Sequence, residues 1–291
     1  MSDLSGIGKT VEVLAKMVSD TCGVLYEPRR IILKAKAESE ASIIRAKTDI
    51  QIEQLRQEVA TLSLPERAQN LLTQSLQRES RIQENISSIL DQALPHISVD
   101  AQPEKLEPDW LADVLNRCSL ISDQEMQSLW GKIIAGQINN PRSFSKRTMV
   151  VVSEIDKKDA LAFTRLCTSV WVSGGTAFPF IIDESEIHLK MGFDLSFKMH
   201  LESIGLISRV GFGSIMREIT HPISISYFNR DIILAPGPKD LLQGPVELTM
   251  TGRELFPICG AQPSEEYYNY MIDYWRKEGY TVTETNPGDP K

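Results

Sequence analysis

The residues of this chain that could do chemistry are few and scattered. Gly6-Ile7-Gly8-Lys9-Thr10 ends like a phosphate-binding loop. The full loop needs a glycine five positions before Gly8, where Asp3 stands, and a strand leading into it, for which there is no room. The segment therefore reads as the entry to a helix. The four histidines, His96, His188, His200 and His221, include no i, i+4 pair, and no cysteine stands at ligand spacing from any of them. Cys22, Cys118, Cys167 and Cys259 form no CxxC pair and are too sparse for a disulfide scaffold. Cys167 follows Phe163-Thr164-Arg165-Leu166 and Cys259 follows Phe256-Pro257-Ile258, so each is expected to be a buried, inert thiol. No serine sits in a Gly-x-Ser-x-Gly elbow. The expectation is no catalytic residue, no metal ligand and no cofactor.

Two charged regions could bind anions. Arg29, Arg30, Lys34, Lys36, Arg45 and Lys47 are set against Glu38, Glu40 and Asp49, a local positive patch directly after an amphipathic segment. That combination can hold a protein to an anionic membrane surface. The amphipathic segment itself adds only Lys9 and Lys16, and a solvated helix face beside a partner is the plainer use. The second region is the connection 141–148, where Arg142, Lys146 and Arg147 could hold an anion at the start of the next helix. Just before it, Leu129-Trp130-Gly131-Lys132-Ile133-Ile134-Ala135-Gly136 combines a core-like Trp130 and isoleucine face with small residues that admit another helix at close range.

The balance of charge narrows the partners. With a formal charge of -8 and a pI near 5.2, the chain lacks the surplus of lysine and arginine that phosphate neutralisation needs, and a nucleic-acid partner is not favoured. Hydrophobic content of 42% is that of a folded protein. The N-terminus lacks the basic start and apolar core of a signal peptide. The 17 uncharged residues 166–182 contain Gly174-Gly175 and Pro179, which break a helix, so they read as a helix end, a turn and a buried strand instead of a span. The expected location is cytoplasmic, with peripheral attachment to the inner membrane as the variant that the basic patch allows.

The elements that must position these residues fall into two parts. Ile7, Val11, Leu14, Val18, Cys22 and Leu25 form one stripe of a helix over 5–25. From Arg30 the chain is rich in helix formers and free of glycine and proline until Pro65. Within it Ile44, Thr48, Ile52, Leu55, Val59 and Leu62 recur at 4, 4, 3, 4 and 3, close to a coiled-coil seam, and are assigned as an oligomer interface. A second helix, introduced by a Ser63/Glu66 capping box, carries Leu72, Leu76, Ile82, Ile86, Ile89 and Leu90 and pairs with the first, within or between chains. Residues 1–97 are thus a helical oligomerisation region and 98–108, with two prolines and three acids, a linker. Capped helices follow at 109–120, 125–138 (a Ser122/Glu125 box), after Ser145 and after Asp156, the last running to about Val170. Strands are expected at 176–182, 206–210, 223–228, 231–235 and 245–249, and helices at 194–204, 252–259 and 265–278.

The fold class expected is α+β, mainly α: a long N-terminal helical hairpin or coiled coil, then a helical and winged-helix-like C-terminal domain over 109–284, with 285–291 a disordered tail. In that domain 194–204 is the exposed second helix and 206–235 the wing. The helix offers only Lys198 and His200 as cations against Asp194 and Glu202, a poor set for reading a groove.

Tyr26-Glu27-Pro28-Arg29-Arg30-Ile31 followed by Lys34-Ala35-Lys36-Ala37-Glu38 resembles the opening of a group of uncharacterised bacterial proteins. Asp123-Gln124-Glu125-Met126-Gln127-Ser128-Leu129-Trp130-Gly131-Lys132-Ile133-Ile134-Ala135, with Ser143-Phe144-Ser145-Lys146-Arg147-Thr148, resembles a motif of that group and of the abortive-infection alpha proteins. The resemblance covers about a third of the chain and implies a role in bacterial defence against phage, with no catalytic residues to carry over. An acidic residue follows the Ala-Gly pair in that group, where this chain has Gln137. The favoured function is a non-enzymatic, self-assembling interaction protein: a homo-oligomer with a protein partner. Membrane-surface binding and winged-helix nucleic-acid binding are the alternatives.

Overall fold

The computed structural model describes residues 4–22, 65–183, 185–210 and 213–285. These divide into two compact units, Met1–Phe144 and Ser145–Lys291, each taken by itself below. The architecture is mainly α with a β-sheet region in the second unit.

The first unit contains α1 (Leu4–Cys22), α2 (Glu66–Ala93), α3 (Pro108–Cys118) and α4 (Gln124–Asn139). Leu14 and Val18 are fully buried and Thr10 nearly so, with α1 packed on α3 and on the 3-10 turn Pro103–Lys105. The C-terminal half of α2 packs along α4 through Ile86, Ile89, Leu90 and Ala93 against the element that carries Trp130, Ile133, Ile134 and Ile138. Gly131 lets the two helices touch: a Cβ there would stand 2.9 Å from the backbone of both Gln92 and Ala93. Gly136 makes room in the same way for the Phe144 ring. The chain-wide division therefore differs from the one read at 98–108. That segment is packed, with Leu106 buried, Pro103 buried in its turn and the Gln102 N–H donating to Ile138 O at 3.4 Å. Proline and acid there signalled a slack linker, but prolines also suit a 3-10 turn, and one anchored leucine fixes it. The helix expected to follow Ser122/Glu125 is capped one residue later, by the Asp123 carboxylate accepting from Glu125 N (3.0 Å) and Met126 N (3.1 Å).

The second unit runs α5 (Lys146–Glu154), α6 (Lys157–Cys167), β1 (Val170–Ser173), β2 (Thr176–Pro179), α7 (Glu186–Lys190), α8 (Leu195–Ser203), β3 (Ile207–Arg209), β4 (Ile215–Arg217), β5 (Ile223–Tyr227), β6 (Arg230–Ala235), β7 (Leu241–Gly244), β8 (Val246–Leu248), α9 (Met250–Leu255), α10 (Glu265–Lys277) and β9 (Thr281–Glu284). Ser145 and Asp156 cap their helices as expected, the latter in a full capping box with Asp159. Gly174 and Gly175, at φ +55 and +77, are the two-residue turn of a β1–β2 hairpin, so a strand precedes them where a helix end was expected.

The five-stranded antiparallel sheet has the order β2-β1-β5-β6-β9. Its period is two: Ile225, Tyr227, Ile232 and Leu234 are buried while Ile233 is 40% exposed. The buried residues of α10, Tyr267, Tyr268, Met271, Ile272 and Trp275, complete this core. The helix–strand–strand order of a winged-helix-like unit is present as α8, β3 and β8, with Ile207 opposite Leu248 and Arg209 opposite Val246. The wing differs from the expected one. The 223–235 hairpin leaves it for the larger sheet, because its alternating isoleucines need the aromatic face of α10 to cover them.

Candidate interaction site

Helix α8 is fixed by its own sequence. The Asp194 carboxylate caps it by accepting from Phe197 N at 2.8 Å, and Phe197 and Leu201 turn inward. Its lysine and its histidine both face acids. Lys198 is buried and ion-paired with Asp183. The His200 Nε2 lies 2.7 Å from Asp159 Oδ1. Beyond the helix, Arg209 Nε donates to Glu202 Oε2 at 2.6 Å and Arg209 N to Glu202 Oε1 at 3.1 Å, bonds that hold the Glu202 carboxyl below the usual carboxylate range. Beside the exposed Ser196, His200 and Ser203, α8 shows two apolar side chains to solvent, Leu195 (59% exposed) and Met199 (51%), one turn apart. Leu189 on α7 is exposed as well.

A second apolar face lies on α2. At about 1.5 Å per residue its 28 residues span about 42 Å, yet its buried residues begin only at Asn85. In the preceding five turns Leu71 is 58% exposed and Leu72 41%, and Leu76 is half-buried. Asn85 and Gln127 mark where the helix enters the unit. Asn85 Nδ2 donates to Ser119 O (2.9 Å), Gln127 Nε2 to Ile121 O (2.8 Å), and Ser88 Oγ to Gln127 Oε1 (2.7 Å).

Four further clusters involve buried or half-buried polar groups. His188 is buried, its Nδ1 facing Ser185 Oγ and its Nε2 facing Phe180 O at 3.1 Å. With the Nε2 proton on that carbonyl, the ring is neutral and Ser185 donates to it. Burial holds the imidazole down at about 4, against the bond to Phe180. The Tyr267 hydroxyl accepts from Trp171 Nε1 (3.0 Å) and reaches Phe180 O (2.9 Å) and Ser169 O (3.0 Å), and burial pushes it well up. At the start of α5, Glu254 Oε2 accepts from Ser145 N (2.8 Å) and Thr148 Oγ1 (2.6 Å). Finally, Cys167 and Cys259 lie side by side, the first fully buried and the second half-buried, and the nearby Cys259 thiol adds to burial in raising the Cys167 thiol. They are neighbours, where the sequence suggested two separate inert thiols.

The residues singled out in the sequence are placed unevenly. Ile44, Thr48, Ile52, Leu55, Val59 and Leu62, and Arg29, Arg30, Lys34, Lys36, Arg45 and Lys47, lie outside the described residues. Arg142, Lys146 and Arg147 are exposed. The place an anion would take before α5 holds the Glu254 carboxylate, which already meets the Ser145 amide. Gln137 is buried, and its Oε1 accepts from Phe144 N at 3.1 Å, a bond that an acid at this position could also accept. Glu254, Asp183 and the cysteine pair had no local sequence signal, since their partners come from remote elements. Among the described residues no group of three or more His, Cys, Asp or Glu could hold a metal ion, and no helix is long and apolar enough to cross a membrane.

Residues 66–272 match the model of a family described as protein of unknown function (DUF2806). The chain belongs to this family. The matched span opens with α2 and closes within α10, so it takes in both exposed apolar faces and the thiol pair. No curated protein and no solved structure matches the chain.

Proposed function

We propose that this chain is a self-assembling interaction protein, with α2 and the 44–62 seam joining copies and the outward face of α8 offered to a protein partner. The observation that carries the reading is the outer half of α2. A helix of this length with leucines in solvent is stable once a second copy covers it, since each fully buried leucine contributes roughly 1.5–3 kcal/mol. The seam precedes it directly in the chain and supplies a second apolar stripe of the same helical period. The engagement of Lys198 and His200 by Asp183 and Asp159 supports a protein partner over a phosphate backbone. The burial of Leu14 and Val18 within the first unit counts against their use on a membrane surface. The resemblance to the abortive-infection alpha proteins supplies phage defence as the setting, which plaque counts on hosts with and without the gene would test.

The deciding experiment is the solution mass by light scattering after gel filtration. The wild-type chain is expected at a multiple of 32.7 kDa, and Leu71→Asp with Leu72→Asp at a smaller multiple. Exposed positions change monomer stability by only about 0.5 kcal/mol, so the variant should keep its unfolding midpoint. A monomeric wild type overturns the reading. Co-sedimentation of that monomer with anionic vesicles would transfer the case to membrane binding.

A further inference from the structure

The last turn of α6 and the 3-10 turn Phe256–Ile258 bring together two cysteines that are 92 positions apart in the chain, Cys167 and Cys259. The approach is held from two sides. Thr164 Oγ1, one turn before Cys167, donates to Cys259 O at 3.0 Å as well as to Ala160 O at 2.9 Å. The Cys259 thiol also reaches Phe256 O at 3.1 Å, which keeps its sulfur at the end of that turn. The two side chains are near enough that Cys259 acts on the titration of Cys167. Cys167 is fully buried while Cys259 is half-buried, so Cys259 is the more exposed of the two.

We infer that Cys167 and Cys259 are a modification site, a dithiol that hydroperoxides convert to a reversible intramolecular disulfide. Cys259 reacts first because it is the accessible member. Its thiolate sulfur attacks one peroxide oxygen, the O–O bond breaks, and the departing oxygen takes a proton and leaves as water or an alcohol. Cys259 is then a sulfenic acid. The Cys167 sulfur attacks the Cys259 sulfur, the S–O bond breaks, and the oxygen leaves as water with the Cys167 proton. Two thiols and one hydroperoxide thus give one disulfide and two molecules of water or alcohol, with two electrons passing to the peroxide. Burial, followed by the bond to Cys259, raises the Cys167 thiol well above its ordinary value. Cys167 is therefore quiet towards outside oxidants and suited to the resolving role, where contact compensates for a small thiolate fraction. In a reducing compartment such a bond is transient, which fits a sensor better than a permanent staple. Its mechanical effect is to tie the end of α6 to the segment that leads into α10.

The test uses the full chain, reduced, desalted and exposed to hydrogen peroxide. Remaining thiols are blocked with N-ethylmaleimide before unfolding, and the digest is read by mass spectrometry. The expected result is a peptide pair joined through Cys167 and Cys259, lost on dithiothreitol, with a higher urea midpoint for the oxidised protein. Cys118, buried in the first unit, should remain a thiol. In Cys167→Ser the sulfenic acid on Cys259 should persist and be trapped by dimedone, while in Cys259→Ser Cys167 should stay unmodified. Peroxide that leaves Cys259 over-oxidised with Cys167 still a thiol overturns the proposal, as does a cross-link from either residue to Cys22.

Discussion

Replacing Gly131 with alanine separates two opposed effects whose sizes can be set out in advance. In an exposed helix, glycine to alanine stabilises by about 1 kcal/mol, because alanine restricts the unfolded chain and favours helix. At Gly131 the new methyl group would lie 2.9 Å from Ala93 N, Gln92 C and Gln92 Cβ. Ordinary contact between such atoms is roughly 3.5–4.0 Å, so α2 and α4 must separate by several tenths of an ångström. None of the three atoms can swing aside, since two are backbone and the third is fixed to it. Overpacking of this kind costs about 1–3 kcal/mol, and opening the seam also loosens Ile86, Ile89, Leu90, Ile133 and Ile134 along it. The upper part of that range applies, and the net change is a loss of about 1–2 kcal/mol. Gly136→Ala meets the Phe144 ring at 2.7 Å, and a ring can rotate away, so it should cost less than Gly131→Ala. The assay is urea unfolding followed by far-ultraviolet circular dichroism, with midpoint and slope fitted for wild type and both variants. A Gly131→Ala protein more stable than wild type would refute the close approach of α2 to α4.

Two further outcomes follow from the second unit. Glu254→Ala removes the acceptor for Ser145 N and Thr148 Oγ1 and should cost about 1–2 kcal/mol, whereas Glu254→Gln, whose amide oxygen can still accept both, should cost less; equal losses in urea melts would mean that the bonds do not matter. His188, held at about 4 in the folded chain against 6.5 when free, takes up its proton in the unfolded state first, so stability falls as pH drops from 6.5 towards 4. Between pH 7 and pH 5 the loss should be roughly 2 kcal/mol, and a His188→Gln protein should lack that part of the slope.

Much of the fold was legible because helix ends carry local chemistry. Ser145, Asp156 and Asp194 each have a side-chain oxygen at the right distance from the amides that follow, and each caps its helix. Even the misread cap failed by one residue only, Asp123 outcompeting Ser122 because a carboxylate can accept from two amides at once. The short strands were harder. Val170–Ser173 reads as the end of a helix until Gly174 and Gly175 turn the chain back on it, and Thr281–Glu284, placed in the domain, is too polar to read as a strand although Val282 closes the edge of the core. The 98–108 segment shows the converse error. Its composition is that of a linker, but composition records the average residue, and the buried Leu106 and Pro103 anchor the stretch.

The chemistry of the molecule was less legible, and the reason is the distance between partners along the chain. Lys198 reads as a free cation on an exposed helix until Asp183, 15 positions earlier, is found against it. His200 is paired with Asp159, 41 positions earlier. Those pairings alter the reading of α8 more than its composition does. A nucleic-acid partner would have to displace both acids before Lys198 or His200 met a phosphate, in a chain that already carries a formal charge of -8. A protein partner meets no such cost. It can cover Leu195 and Met199 and leave both pairs as a polar rim, the arrangement of apolar centre and charged edge in which binding energy concentrates at protein interfaces.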